Sequence, residues 1–246
     1  MYKGFVVTDT ETTGTDPDVD RVVEIAAATV FLNAGNWTIN NRQSSLVNPG
    51  RSIPPQASSV HHLTDDMVSE APSLDEAVQV VGKYAYTDGV VLVAHNAQFD
   101  KSFLPQWANK PWLCTYRCSL HLFPDAPSHS NQALRYYLGL EPKFDGMDMS
   151  NPRNSQPHAA LYDVCTTAAL LVRMLSMATV EELMEMQSKP VLLKTVRFGK
   201  HRGELWSAVP YSYLDWARKQ DFDADVKHTI EHYRLNFGKS SSGLRP

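Results

Sequence analysis

The apolar segments of this chain change their spacing partway along, and that change limits the folds open to it. Residues 5–10, 22–32 and 37–49 read as three strands joined by short connections, one of them a turn at Asn33 to Asn36. Three such strands in succession suggest an antiparallel meander. Further on, Ser73 caps a helix in which Leu74, Ala77, Val78 and Val81 follow helical spacing. A short buried strand, "VVLVA" at 90–94, then runs into a helix from about Ala97. Strand–helix alternation favours parallel pairing. The expected architecture is therefore α/β: a mixed sheet with helices packed on it.

Between the meander and the first helix, "RSIPPQASSVHHLT" reads as a loop ended by Thr64 as the N-cap of a short helix at "DDMV". Pro157 introduces a long helix, with Leu161, Val164, Cys165, Ala168, Leu171, Val172 and Leu175 as its apolar stripe. "TVEELMEMQ" starts a second, shorter helix. The pattern breaks around Lys189–Pro190, which marks a boundary between domains. The expected division is a main domain over 1–178, a helical linker over 179–190, a small module over 191–235 and a Gly/Ser-rich flexible tail over 236–246.

A chain of 246 residues, 43% hydrophobic and 20% charged, can bury one sizeable core with room for a small second module. Three cysteines, odd in number and without zinc-like CxxC pairing, read as reduced thiols of a cytoplasmic protein. Apolar runs are too short to span a bilayer, so no membrane partner is expected. Oligomeric state is not legible. The net charge of −4 argues at first against nucleic acid, but it is unevenly spread. Residues 1–178 carry 12 Lys and Arg against 18 Asp and Glu, net −6; residues 191–235 carry 8 against 6, net +2. An acidic body can still bind phosphates if its acids hold divalent cations.

The acids have a pattern. "TDTETTG" follows the apolar "FVV" of residues 5–7, and Asp9 and Glu11, two apart on a strand, point to one face. Two carboxylates that close repel unless something neutralises them, or unless the loop edge simply hydrates both. Asp100 in "VAHNAQFD" and Asp163 in "HAALYD" sit near helix starts, where an acid is also favoured by the dipole alone. Together the four come from strand ends and helix starts, where sites form in sheet-based folds. Hard cations such as Mg²⁺ or Mn²⁺ require oxygen ligands of this kind. His158 lies five residues before Asp163, a rotation of ~140° on an ideal helix, so the pair shares a cleft only if His158 stays at the loop edge. Otherwise it is a surface histidine at a helix start.

"TDTETTG", "AHNAQFD" and "HAALYD" together resemble, in order, the three exonuclease motifs of the DEDD superfamily, and His158 in H-x-x-x-x-D resembles its histidine subtype, DEDDh. "VVEIAAATV", "VHHLTDDMV", "CTYRCSLHLFP" and "SNQALRYYLGL" also resemble family segments, so the likeness covers about residues 3–178. It implies an RNase H-like fold and 3′→5′ exonuclease activity releasing nucleoside 5′-monophosphates. It implies Asp9, Glu11 and Asp163 on one divalent ion and Asp9 with Asp100 on a second, with His158 as general base toward the attacking water. It further implies that Thr10, Thr12 and Thr13 cradle the 3′-terminal nucleotide, with His61, His62 and Asn96 on the substrate side. Phe99 reads as core packing.

"VRFGKHRGELWSAVPYSYLDW" resembles the small C-terminal module of exodeoxyribonuclease X-like proteins. "FGKHRG" reads as a hairpin with Gly199 and Gly203 at its turn. Trp206, Tyr213, Leu214 and Trp216 read as the module's core. Lys194, Arg197, Lys200, His201 and Arg202 form the densest basic run; they are either a solvated face or phosphate contacts, with Lys200 and Arg202 the candidate substrate residues. The expected partner is the 3′ end of DNA. The alternatives are an RNA exonuclease similar to RNase T or oligoribonuclease, a polymerase proofreading subunit, and a catalytically silent nucleic-acid-binding protein.

Overall fold

Strand β1 (Gly4–Thr12) sits in the middle of a sheet because its first five residues are apolar or small and buried on both faces. The computed structural model describes residues 2–142, 144 and 156–237, and divides into two units between Gln187 and Ser188. In the first unit, β2 (Val22–Asn33) and β3 (Asn36–Leu46) complete the antiparallel meander. On the other side of β1, β4 (Val90–Ala94) and β5 (Trp112–Cys114) pair in parallel, giving the order β3-β2-β1-β4-β5. The mixed sheet is the expected one. The three residues of β5 are too short a run to carry a period-two signal.

Alternation along β1 divides the core. Phe5 and Val7 face a helix over Ala160–Leu175, together with Ala26, Ala28 and Val30 of β2. Val6 faces the other layer, where Ile25, Leu92 and Trp107 meet the helix Leu74–Val81. In chain order the first unit's helices are α1 (Pro55–His61), α2 (Asp65–Val68), α3 (Leu74–Val81), α4 (Ala97–Phe103), α5 (Thr115–Leu122), α6 (Asn131–Tyr137), α7 (Ala160–Leu175) and α8 (Val180–Met186). Val164, Ala168 and Leu171 of the α7 stripe are fully buried. Burying a side chain such as Leu171 contributes roughly 1.5–3 kcal/mol. All three cysteines are buried thiols outside any disulfide. Among the described residues no single helix is long and apolar enough to cross a membrane.

Local signals place most helix ends. Ser73 accepts from Glu76 N while Glu76 reaches back to Ser73 N, a full capping box. Thr179 and Glu182 repeat it at α8. Two expectations change. The segment expected as loop contains α1, because Pro55 at the first helical position needs no N–H partner and brings a helical φ. Thr64 stands at the N-cap of α2 without a side-chain cap bond; Asp65 Oδ1 instead accepts Ile53 N at 2.7 Å. Residues 179–187, expected as linker, belong to the first unit. Leu183 is fully buried in its core, and Gln187 bonds Trp112 O and Cys114 N.

The second unit holds α9 (Tyr211–Ala217) and α10 (Ala224–Leu235) around Val196, Trp206, Leu214 and Ile230. Phe198 stacks on Phe222 at 4.3 Å. The expected hairpin is present in short form: Val196 N bonds Glu204 O, Gly203 N bonds Val196 O and Trp206 N bonds Lys194 O around an antiparallel Thr195–Leu205 bridge, and its tip is a 3₁₀ turn at Gly199–His201. Both glycines do adopt positive φ, 62° and 89°. Trp206, Tyr213 and Leu214 are buried as expected, but Trp216 is 48% exposed. Positions Leu214 and Ala217 fill the buried side of this two-turn helix, which leaves Trp216 outside. Residues 238–246 of the expected tail lie outside the described residues.

Candidate active site

Asp9 and Glu11 continue the Phe5–Val7 face beyond the point where apolar side chains end, so strand alternation delivers both to the start of α7. Asp163 lies in the first turn of α7, and Asp100 in that of α4, which follows β4 beside β1. Asp100 is 3% exposed and Asp163 9%. Thr10 ties α4 to β1: its N–H and its hydroxyl both donate to Asp100 Oδ1, at 3.0 and 2.9 Å.

His158 stays out of the helix. Its φ is 63°, α7 begins at Ala160, and its backbone N–H donates to Asp163 Oδ2 at 2.9 Å. His158 therefore lies at the loop edge, the condition for sharing a cleft with Asp163, and its side chain is exposed. One ligand atom each from Glu11, His158 and Asp163 lie within 4.8 Å of one another. Gln132 Nε2 donates to Asp163 Oδ1 at 2.9 Å, and Asn131 Nδ2 donates to Asp163 O and Thr167 Oγ1 at 3.2 Å.

The electrostatics follow from this crowding. Desolvation first, then Asp100, Asp163, Glu11 and Glu24, hold Asp9 well above the usual carboxylate range. Desolvation pushes Asp100 up to about 7 against the lowering effect of the Thr10 bonds. Asp163 is also raised by desolvation, with the His158 N–H and Gln132 opposing. Among the described residues no Lys or Arg forms an ion pair with Asp9, Asp100 or Asp163. Clustered carboxylate oxygens of this kind fit a hard divalent ion.

Other expected site residues are placed differently. Thr10, Thr12 and Thr13 are buried and their hydroxyls donate inward, to Asp100, to Gly14 O and to Asp20 Oδ1. These hydroxyl bonds brace the strand end. His61 is 2% exposed, its Nδ1 accepting Leu63 N at 3.0 Å, so it is an interior group at the end of α1. His62 is exposed and left-handed at the same helix end. Asn96 is exposed, with φ 79°, and its side chain takes no part in capping α4. Phe99 packs against Phe103, as core reading requires. Lys200 and Arg202 are exposed in the second unit.

Sequence reasoning passed over Glu24. It pairs in register with Glu11, is 6% exposed, and accepts Ala160 N at 3.2 Å, at the head of α7. The signal was a lone charge inside the apolar run "VVEIAAATV". Gln132 and Asn131 had no such signal, because their bonds join residues more than thirty positions apart.

A mixed sheet of this order, flanked by helices and with acids gathered at the central strand's end, defines an RNase H-like nuclease fold. A family model described as exonuclease (RNase_T) matches residues 6–171, and the chain belongs to that family, as a 3′→5′ exonuclease of the DEDDh group. It is 32% identical over 237 residues to exodeoxyribonuclease 10 of Escherichia coli K12, covering 94% of this chain and 98% of that protein. It is 45% identical over 149 residues to the DNA polymerase III subunit epsilon of Treponema pallidum, covering 56% of this chain and 66% of that protein. The solved structure of exonuclease X in complex with 5′-overhanging duplex DNA superposes with a TM-score of 0.59 at 31% identity, over 75% of this chain and 99% of that one. An E. coli exonuclease I–single-stranded DNA complex, at 16% identity, TM-score 0.57, and coverage of 74% and 42%, shares the fold.

Proposed function

We propose that this exonuclease acts on DNA, releasing nucleoside 5′-monophosphates from a 3′ end with two divalent cations, Mg²⁺ or Mn²⁺. The observation that carries the reading is the convergence of Asp9, Glu11, Asp100, Asp163 and His158 at one strand end, with Asp9, Asp100 and Asp163 all raised. Asp9, Glu11 and Asp163 would hold one ion, and Asp9 with Asp100 the other. When bound, the ions supply positive charge against the attacking and leaving oxygens of an in-line phosphate displacement.

The chain's own residues prepare that chemistry. Thr10 fixes the rotation of the Asp100 carboxylate. Gln132 and the His158 N–H hold one oxygen each of Asp163. The exposed His158 ring accepts the proton of the attacking water as general base. Asn96 and His62, both exposed, are the remaining substrate-side candidates of the first unit. Lys200 and Arg202 supply phosphate contacts from the second. Likeness across 94% of the chain to a protein named exodeoxyribonuclease supports DNA over RNA. Cysteines outside any disulfide suit a reducing, cytoplasmic setting.

The test is a panel of 5′-labelled oligonucleotides with Mg²⁺, Mn²⁺ or EDTA. DNA should shorten stepwise from its 3′ end, faster than matched RNA, and EDTA should stop it. A terminal 3′-phosphate should slow the reaction. Faster degradation of RNA overturns the substrate assignment and favours the RNA-exonuclease reading.

A further inference from the structure

The second unit carries a cavity of ≈ 400 Å³ lined by Gly199, Lys200, Ser212, Tyr213 and Trp216. A lone exposed tryptophan means little, but this one belongs to a wall. Its ring centroid lies 5.1 Å from that of Tyr213, and Lys200 Nζ stands 5.4 Å over the Tyr213 ring. Gly199 brings the basic turn down onto that wall. Its φ is 62°, and a Cβ there would meet Tyr213 Oη at 2.7 Å, so a side chain is excluded on both counts. Tyr213 is only 7% exposed, and among the described residues its buried Oη has no hydrogen-bond partner. An unpartnered hydroxyl at the wall of an open cavity leaves a place for a ligand's hydrogen-bonding group.

The charge around the cavity names the ligand's sign. Residues 188–246 carry 11 Lys and Arg against 6 Asp and Glu. On the helices the cations are paired: Arg218 and Lys219 with Asp215, Lys227 with Asp221, Arg234 with Glu231. Around the Gly199–His201 turn they are not. Arg197, Lys200 and Arg202 are exposed and form no ion pair among the described residues. An aromatic wall beside unpaired cations is the chemistry that holds single-stranded nucleic acid, bases on the rings and phosphates on the cations.

We propose that this cavity is a stacking site for one unpaired nucleobase, held on the exposed Trp216 ring that Tyr213 backs, with Lys200 and Arg202 taking the flanking phosphates. The inference rests on the chain acting on a nucleic-acid strand, and adds a second place where that strand is gripped. It extends to any base, since every base has a π-face, and to either sugar.

The experiment titrates the 246-residue chain in EDTA with 5′-labelled single-stranded 20-mers of DNA and of RNA. Anisotropy follows affinity, and tryptophan emission follows stacking. Trp107, Trp112 and Trp206 are buried and Trp37 is only partly so; in a Trp37→Phe background, an oligonucleotide that stacks on Trp216 should quench emission, and adding Trp216→Phe should abolish the quenching. Trp216→Ala should weaken binding about tenfold, while Trp216→Phe, which keeps a ring, should retain most of it. Lys200→Ala should flatten the slope of log affinity against log salt by about 0.7. Circular dichroism should be unchanged in all three, because both side chains are exposed. Unchanged affinity of Trp216→Ala for both strands, or quenching that survives when Trp216→Phe is added to Trp37→Phe, overturns the proposal and leaves the cavity to a protein partner. Cleavage of RNA in preference to DNA would sink the substrate reading alone and leave these titrations as they are.

Discussion

Thr10 gives both its backbone N–H and its hydroxyl to a single oxygen of Asp100, ninety residues away in the sequence. Two donors on one oxygen fix the carboxylate's rotation, which matters if the group must meet a cation. Thr10→Val keeps the side chain's shape and the N–H bond but removes the hydroxyl. Loss of such a positioning bond should lower metal affinity or turnover by roughly 10- to 100-fold. Calorimetric metal titration beside single-turnover rates would check it; wild-type values in both would reduce the bond to a structural tie.

The acids oppose one another until something neutralises them. A carboxyl whose folded pKa is raised keeps its proton to higher pH when folded than when unfolded. The metal-free protein should therefore lose stability as pH rises from the usual carboxylate value near 4 through the raised values, about 7 for Asp100. Mg²⁺ or Mn²⁺ should restore it, most strongly at alkaline pH. Asp9→Asn should melt higher than wild type in EDTA at pH 8, gain less from added metal, and lose nearly all turnover. Thermal melts across pH, with and without metal, measure this directly.

His158 stands within reach of Glu11 and Asp163, so its geometry would serve a proton acceptor or a ligand. As general base, His158→Ala should lower the single-turnover rate by roughly 10²–10⁴-fold while binding the same number of ions. A variant that binds one ion fewer would make His158 a ligand. A variant of wild-type rate would remove it from the mechanism.

His95 lies outside the carboxylate cluster and titrates in the opposite sense. Its Nε2 lies 2.8 Å from His129 O and its Nδ1 2.9 Å from Thr115 Oγ1, and desolvation pushes its pKa down to about 4. The unfolded chain binds this proton near pH 6.5 and the folded chain resists it. The stability His95 contributes is present above pH 6.5 and is lost as pH falls toward 4, by at most about 3 kcal/mol. His95→Gln should flatten that part of the profile. Denaturant titrations of wild type and variant at pH 7 and 4.5 would show equal losses if the idea is wrong.

Strand alternation alone puts Asp9 and Glu11 on one face. The capping boxes at Ser73 and Thr179 are equally local. These were legible because each rests on geometry that a few consecutive residues define. Tertiary structure decided the rest. Glu24 joins the cluster only through the β1–β2 register, and the threonine hydroxyls turn inward only because Asp100, Asp20 and Gly14 O wait there. His61 is buried and Trp216 exposed against what their segments suggested, because side-chain burial depends on what packs over each helix face. A chain's periodicity says which residues share a face; it does not say what, if anything, covers that face.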